Sequence, residues 1–147
     1  MSTLRRWLIA YATALVVFTL VDGTWIALVA FGVYRAELGS LMAETFPPLA
    51  AAAFYLGYVA GLVHFGLQPQ RPDLSLGRRV LSGALFGMFT YGTWGLTALV
   101  VIKGFTAFVA VTDIAWGMAL GAIVTFLSTL LLRRFGVLKP SEPAPLG

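Results

Sequence analysis

The sequence predicts an all-α protein, a bundle of four transmembrane helices with both termini cytoplasmic. Three observations carry this expectation. Of 147 residues, 59% are hydrophobic and only 11% charged, against about 25% charged in average soluble domains. Four long stretches are nearly free of charge, each close to the roughly 20 residues that cross a bilayer. The remaining charges fall between those stretches. That placement also explains the net charge of +4 by topology, and it argues against nucleic acid as a partner. No cysteine occurs, which excludes disulfides and thiolate metal sites.

The first span is expected over about residues 7–33. Arg5 and Arg6 precede it as they would in a secretory signal. A signal's apolar core, however, is only about 7–15 residues long. This run reaches Tyr34 with Asp22 as its one charge, so it reads as a retained helix. The second span, about residues 47–67, opens on Pro47 and Pro48. Proline suits a first helical turn, where its missing N–H has no intrahelical acceptor anyway. Gln68-Pro-Gln-Arg-Pro-Asp73 is a loop by composition. The third span covers about residues 80–102 and the fourth about residues 105–132. Lys103-Gly104 leaves room only for a tight turn, which makes these two helices antiparallel neighbours. Residues 1–139 then form one membrane domain, and the tail 140–147, with Pro140, Pro143 and Pro145, is expected to be disordered.

Four spans place both termini on one side. That side would hold Arg5, Arg6, Arg71, Arg78, Arg79, Arg133, Arg134 and Lys139, leaving Arg35 and Lys103 opposite. The positive-inside rule makes the crowded side cytoplasmic and the membrane an inner (plasma) membrane. Lipid gives helices no hydrophobic reason to associate, so small residues must bring the backbones together. The expected packing stripes are Ala53, Gly57 and Gly61 in the second span, and Gly83, Gly87 and Gly95 in the third. In the fourth, Gly117 and Gly121 follow Asp113 at four-residue steps, which aims Asp113 at protein rather than lipid. Glycine-bearing faces of this kind are compatible with a homo-oligomer.

The chemistry-bearing feature is a repeated spacing: Asp22-Gly-Thr-Trp25 in the first span and Asp113-Ile-Ala-Trp116 in the fourth. An acid inside a span costs roughly 2.5–3.5 kcal/mol on insertion scales, and such residues usually mark function. Helical rise converts offsets from the basic boundaries into heights: about 24 Å for Asp22 and about 30 Å for Asp113. The same rule puts Trp25, Trp94 and Trp116 at about 28, 22 and 26 Å, and Tyr55 and Tyr91 near about 18 Å. Two acids and several aromatic rings therefore share the outer half of the bundle, with Thr19, Thr93 and Thr97 at similar depth. The candidate ligand-binding residues are Asp22, Trp25, Tyr55, Tyr91, Trp94, Asp113 and Trp116. Lys103 is a further candidate partner for Asp113, because long basic side chains can snorkel.

Blander readings stand beside this one. Trp and Tyr gather at membrane interfaces for their shape alone, and a buried Asp can simply bond a neighbouring helix. His64, the only histidine, lies about 20 Å below the acids and cannot join them. No zinc-type spacing, phosphate loop or nucleophile elbow occurs, so no catalytic residue, metal or cofactor is expected. The leading reading is a pocket that binds or passes a cation, a proton or a small amphipathic ligand. A structural or assembly subunit of a membrane complex is the alternative. A membrane enzyme acting on lipid, with the two acids as acid and base, comes third. Membrane lipids are the expected partners.

Taken together, these residues resemble the bacterial predicted membrane proteins of the domain of unknown function 2177 family. The resemblance runs from Trp7 to Arg134 through Asp22, Trp25, Tyr34-Arg35, Phe54-Tyr55, Tyr91, Leu96-Thr97, Lys103 and Asp113-Ile-Ala-Trp-Gly117. It implies the membrane location and the bundle, and no activity. Where the family tends to carry Tyr-Asp-Leu-Thr-Asn, this chain has Trp94-Gly-Leu-Thr-Ala98, lacking an acid at Gly95 and an amide at Ala98. If that acid completes the family's site, the site in this chain is altered.

Overall fold

The structure, a computed structural model, describes residues 1–45 and 47–139, and no strand occurs among them. Helix α1 (Thr3–Trp25) continues through a π-helical turn (Ile26–Ala30) into α2 (Phe31–Leu38). Helix α3 (Pro48–Gly61) is prolonged by a second π-helical turn (Leu62–Leu67) that ends in left-handed Gln68 at φ 47°. Helices α4 (Leu76–Val101) and α5 (Ala107–Arg134) complete the bundle. Four helices are long and apolar enough to cross a membrane: Thr3–Leu41, Pro48–Leu67, Leu76–Val101 and Ala107–Arg134. The tail 140–147 lies outside the described residues.

Helices outrun the charge-free windows because a charge ends a span without ending a helix. The first is 39 residues long, a rise of about 58 Å against roughly 30 Å of hydrocarbon. It takes in Arg5 and Arg6 at one end and Arg35 and Glu37 at the other, all of them good or tolerable helix formers. Side-chain caps set three of the starts: Ser2 accepts from Arg5 N at 3.3 Å, Ser75 from Arg78 N at 3.4 Å and Thr106 from Val109 N at 3.3 Å.

Helix α5 is the central element, and α4 lies antiparallel along it across the turn at Gly104 (φ 88°). The glycine stripes bring their backbones together. A Cβ on Gly87 would overlap the Gly117 carbonyl, and one on Gly121 the Gly83 carbonyl, so these positions admit no side chain. Gly117 lies directly under the Tyr91 ring. Helix α1 adds Ala10, Ala14 and Phe18, all fully buried, on the opposite flank. At its C-terminus α5 turns through Gly136 (φ 69°), Val137 N donating back to Leu132 O at 2.8 Å. Val137 and Leu138 are thereby folded into the core.

Helix α3 departs from expectation. Ala53 and Gly57 are exposed, with open space where a Gly57 side chain would lie. Only Gly61, beneath Phe86, and Gly66, against Gly83 and Leu62, pack closely. The buried residues Tyr58, Val59, Leu62, Val63 and Leu67 all lie in its C-terminal half. Residues 47–54 are exposed throughout. The helix is pinned at one end and stands off at the other.

That pinned end is fixed by a residue that charge counting treats as mere topology. The Arg79 side chain is 0% exposed. Its guanidinium donates to the carbonyls of Gln68 (3.1 Å), Arg71 (2.5 Å), Pro72 (3.2 Å) and Leu74 (3.1 Å), and also to that of Leu67. One planar cation thus collects the loop that joins α3 to α4.

Candidate functional site

Asp22 continues the core-facing stripe of Ala10, Ala14 and Phe18 by one more turn of α1, and Asp113 heads the α5 stripe of Gly117 and Gly121. Four-residue spacing alone turns both acids inward, where they are 4% and 7% exposed. They line a single cavity of about 510 Å³ between α1, α2, α3, α4 and α5. All seven candidate residues, Asp22, Trp25, Tyr55, Tyr91, Trp94, Asp113 and Trp116, line it. No basic side chain contributes to its walls.

The two Asp-x-x-Trp segments are clasped together. Trp116 Nε1 donates to Asp22 Oδ1 at 3.0 Å, so the indole of the second segment holds the acid of the first. Trp25 stacks on Trp116 with ring centroids 4.2 Å apart and planes 7° from parallel. Tyr55 closes the other side, its hydroxyl donating to Asp22 Oδ2 at 2.7 Å and its ring edge-on to Phe18 at 4.8 Å. Asp22 therefore has a donor on each oxygen. Asp113 is held differently: Tyr34 donates its hydroxyl to Oδ2, and no donor among the described residues reaches Oδ1. One acid is anchored from both sides; the other has a donor on one oxygen only.

The remaining walls are aromatic or apolar: Phe31, Phe54, Tyr91 and Trp94, with Met42 and Ala51 at the rim. Trp94 is the least committed of the indoles, 51% exposed and edge-on to Phe105 at 6.1 Å. Above the cavity, Val33, Tyr34 and Leu38 pack on Ala98, Phe105, Val109 and Ala110. Thr106 Oγ1 donates to Glu37 Oε2 at 2.9 Å, which ties α2 to the start of α5. Among the described residues no cluster of three or more His, Asp or Glu side chains is placed to hold a metal ion.

Several expectations need correction. Asp113 pairs with Tyr34 and not with Lys103, which is exposed. Thr19, Thr93 and Thr97 share the depth of the site but are exposed and absent from its walls; Thr93 bonds the Phe89 carbonyl of its own helix at 2.7 Å. Rise fixes height, whereas these residues differ in azimuth. His64 is exposed on the π-helical turn Leu62–Leu67, away from the cavity as its height requires. Gly95 faces the Ala110 backbone and Ala98 lies in the outer core. Neither lines the cavity, so a larger polar side chain there would wedge α4 from α5 rather than enter it. Tyr34, Phe31 and Phe54 are wall residues that the candidate set omits.

Four spanning helices around a shared acidic and aromatic cavity define a multi-pass α-helical membrane protein with an internal polar site. The chain belongs to the family described as Predicted membrane protein (DUF2177), which matches residues 7–130 and so contains every residue of the cavity. No curated protein and no solved structure matches the chain.

Proposed function

We propose that the protein is a membrane receptor or carrier for a small amphipathic molecule with a positive charge at one end. The observation that carries this reading is the wall composition: two buried carboxylates and a surround of aromatic faces, with no cation. An anionic ligand would find two acids and no cation in the walls to answer it. A neutral apolar one would strand Asp113 Oδ1. A cation satisfies that oxygen and gains attraction to the ring faces, about 0.5–2 kcal/mol for each good contact. The volume, about 510 Å³, falls within the roughly 300–1,000 Å³ of small-molecule sites.

The test is thermal stabilisation of the purified protein by benzyltrimethylammonium, compared with its uncharged carbon isostere. The charged probe is expected to stabilise the wild type and to lose that effect in D113N, while D113N remains folded. Equal shifts for both probes, or equal shifts in wild type and variant, would remove the reading.

The membrane is proposed to be an inner (plasma) membrane with both termini cytoplasmic, supported by eight basic residues on the terminal side and two on the other. Because the chain has no cysteine, one introduced at Ser2 and one at the exposed Lys103 report sidedness directly. The proposed topology requires labelling by an impermeant thiol reagent in intact cells at the second position only.

A further inference from the structure

A second polar site lies at the opposite end of the bundle. Arg6 of α1 and Arg79 of α4 both reach the loop that joins α3 to α4. Arg79 is engaged there by five carbonyls, and Arg6 Nη1 donates to Pro69 O at 3.4 Å. Arg133 and Arg71 are close enough to Arg79 to repel it. Asp73 is near enough to attract Arg79 but pairs with neither Arg6 nor Arg133: among the described residues the one ion pair is the exposed Lys139–Asp73, at 3.8 Å.

The decisive detail is what Arg6 and Arg133 leave unmade. Arg6 Nε, Arg133 Nε and Arg133 Nη2 are shut away from solvent and have no acceptor among the described residues. Some nine in ten buried polar groups find a partner, so three orphaned guanidinium donors call for one. The matching acceptor is an oxyanion with several oxygens, which a guanidinium fork grips in bidentate fashion. The surroundings say what carries it. Leu4 and Leu8 on α1 and Leu131 and Phe135 by Arg133 are exposed apolar side chains, a surface suited to acyl chains. Trp7 and Tyr11 stack beside Arg6, centroids 5.3 Å apart, as an interfacial aromatic pair.

We propose that Arg6 and Arg133 form a binding site for the phosphate group of an anionic phospholipid, on the face that carries both termini. Basic pockets between helices at a membrane surface are suited to such headgroups. Arg79 is left out of the site, because its donors are already engaged.

The experiment uses the full chain in nanodiscs of phosphatidylcholine with graded phosphatidylglycerol, followed by native mass spectrometry of the lipids retained. The wild type is expected to keep one phosphatidylglycerol in clear preference to phosphatidylcholine. R133Q and R6Q should each weaken that preference by about tenfold, the loss of one charge-assisted hydrogen bond. R134Q, a neighbouring exposed arginine, should leave it unchanged. If R133Q does not fold, R133K, which keeps the charge but not the fork, carries the same test with a smaller loss. Equal losses for R134Q and R133Q would overturn the proposal, since bulk charge would then suffice. Equal stabilisation by inorganic phosphate alone would overturn the assignment to lipid. So would a wild type that retains the two lipids alike.

Discussion

Around Gly83 and Gly121 the helices meet backbone to backbone, Gly66 from the end of α3 joins the same layer, and Arg79 gathers the adjoining loop. Two turns further out, around Asp22 and Tyr91, the backbone of α3 no longer approaches α4, and rings fill the space that backbones fill below. The same chain thus builds a closed half and an open half. The difference lies in how each half meets its polar groups. In the closed half a cation is saturated by carbonyls. In the open half an acid keeps an oxygen unclaimed, and the helix that would have covered it leans away. A rigid end lets the other end stay apart without the bundle loosening.

That contrast can be broken most severely at Arg79. R79L should strand five carbonyls in the closed half and destabilise the bundle by about 3 kcal/mol or more, since each unsatisfied buried group costs about 1–3 kcal/mol and water rescues only some. Thermal unfolding in detergent would show it, and an unchanged midpoint would dissolve the distinction between the halves. Next comes the glycine stripe. G121A should cost about 1–3 kcal/mol, the usual penalty for overpacking a tight interface. G57A, on the exposed face of α3, should be neutral or stabilising by up to about 1 kcal/mol from helix propensity. Matching losses in the two would show that α3 packs along its whole length. The smallest effect sharpens the comparison inside the cavity. D22N disturbs two interhelical bonds and D113N one, and such contacts average about 0.6 kcal/mol in membranes. D22N should therefore lower stability about twice as much, while D113N takes the larger toll on cation binding.

Much of the fold is legible in the residues. Charge-free windows locate the four spans, and the glycines at four-residue steps with the tight Lys103-Gly104 turn foretell the α4–α5 pair. The depth of the two acids and their indoles is legible too from helical rise, and the α5 glycine stripe gives Asp113 its direction; that Asp22 continues an inward stripe of Ala10, Ala14 and Phe18 is seen only once α1 is packed. The same logic misleads in α3, where Ala53 and Gly57 form an equally good small-residue pattern on a face that nothing covers. Periodicity identifies a face without saying what lies opposite. Arg79 is opaque for another reason: its acceptors are backbone carbonyls of a folded loop, which carry no sequence signature. Tyr34 was hidden by geometry. Twelve residues beyond Asp22, it reaches Asp113 only after the helix changes its winding.

That change of winding at Ile26–Ala30 has a genetic corollary. The segment contributes Ile26 and Ala30 to the cavity, and none of its side chains is fully buried, so exchanging residues one at a time should do little. The number of residues there is forgiving as well. A π-helical turn holds one residue more than an α-helical turn, so removing one lets the turn close as plain α-helix with both flanks in register, whereas removing one from α1 itself would swing everything beyond it by about 100°. Tyr34 would keep its acid in the first case and point away from it in the second, so single deletions are expected to be tolerated at Ile26–Ala30 and to wound the site when they fall in the uninterrupted helix.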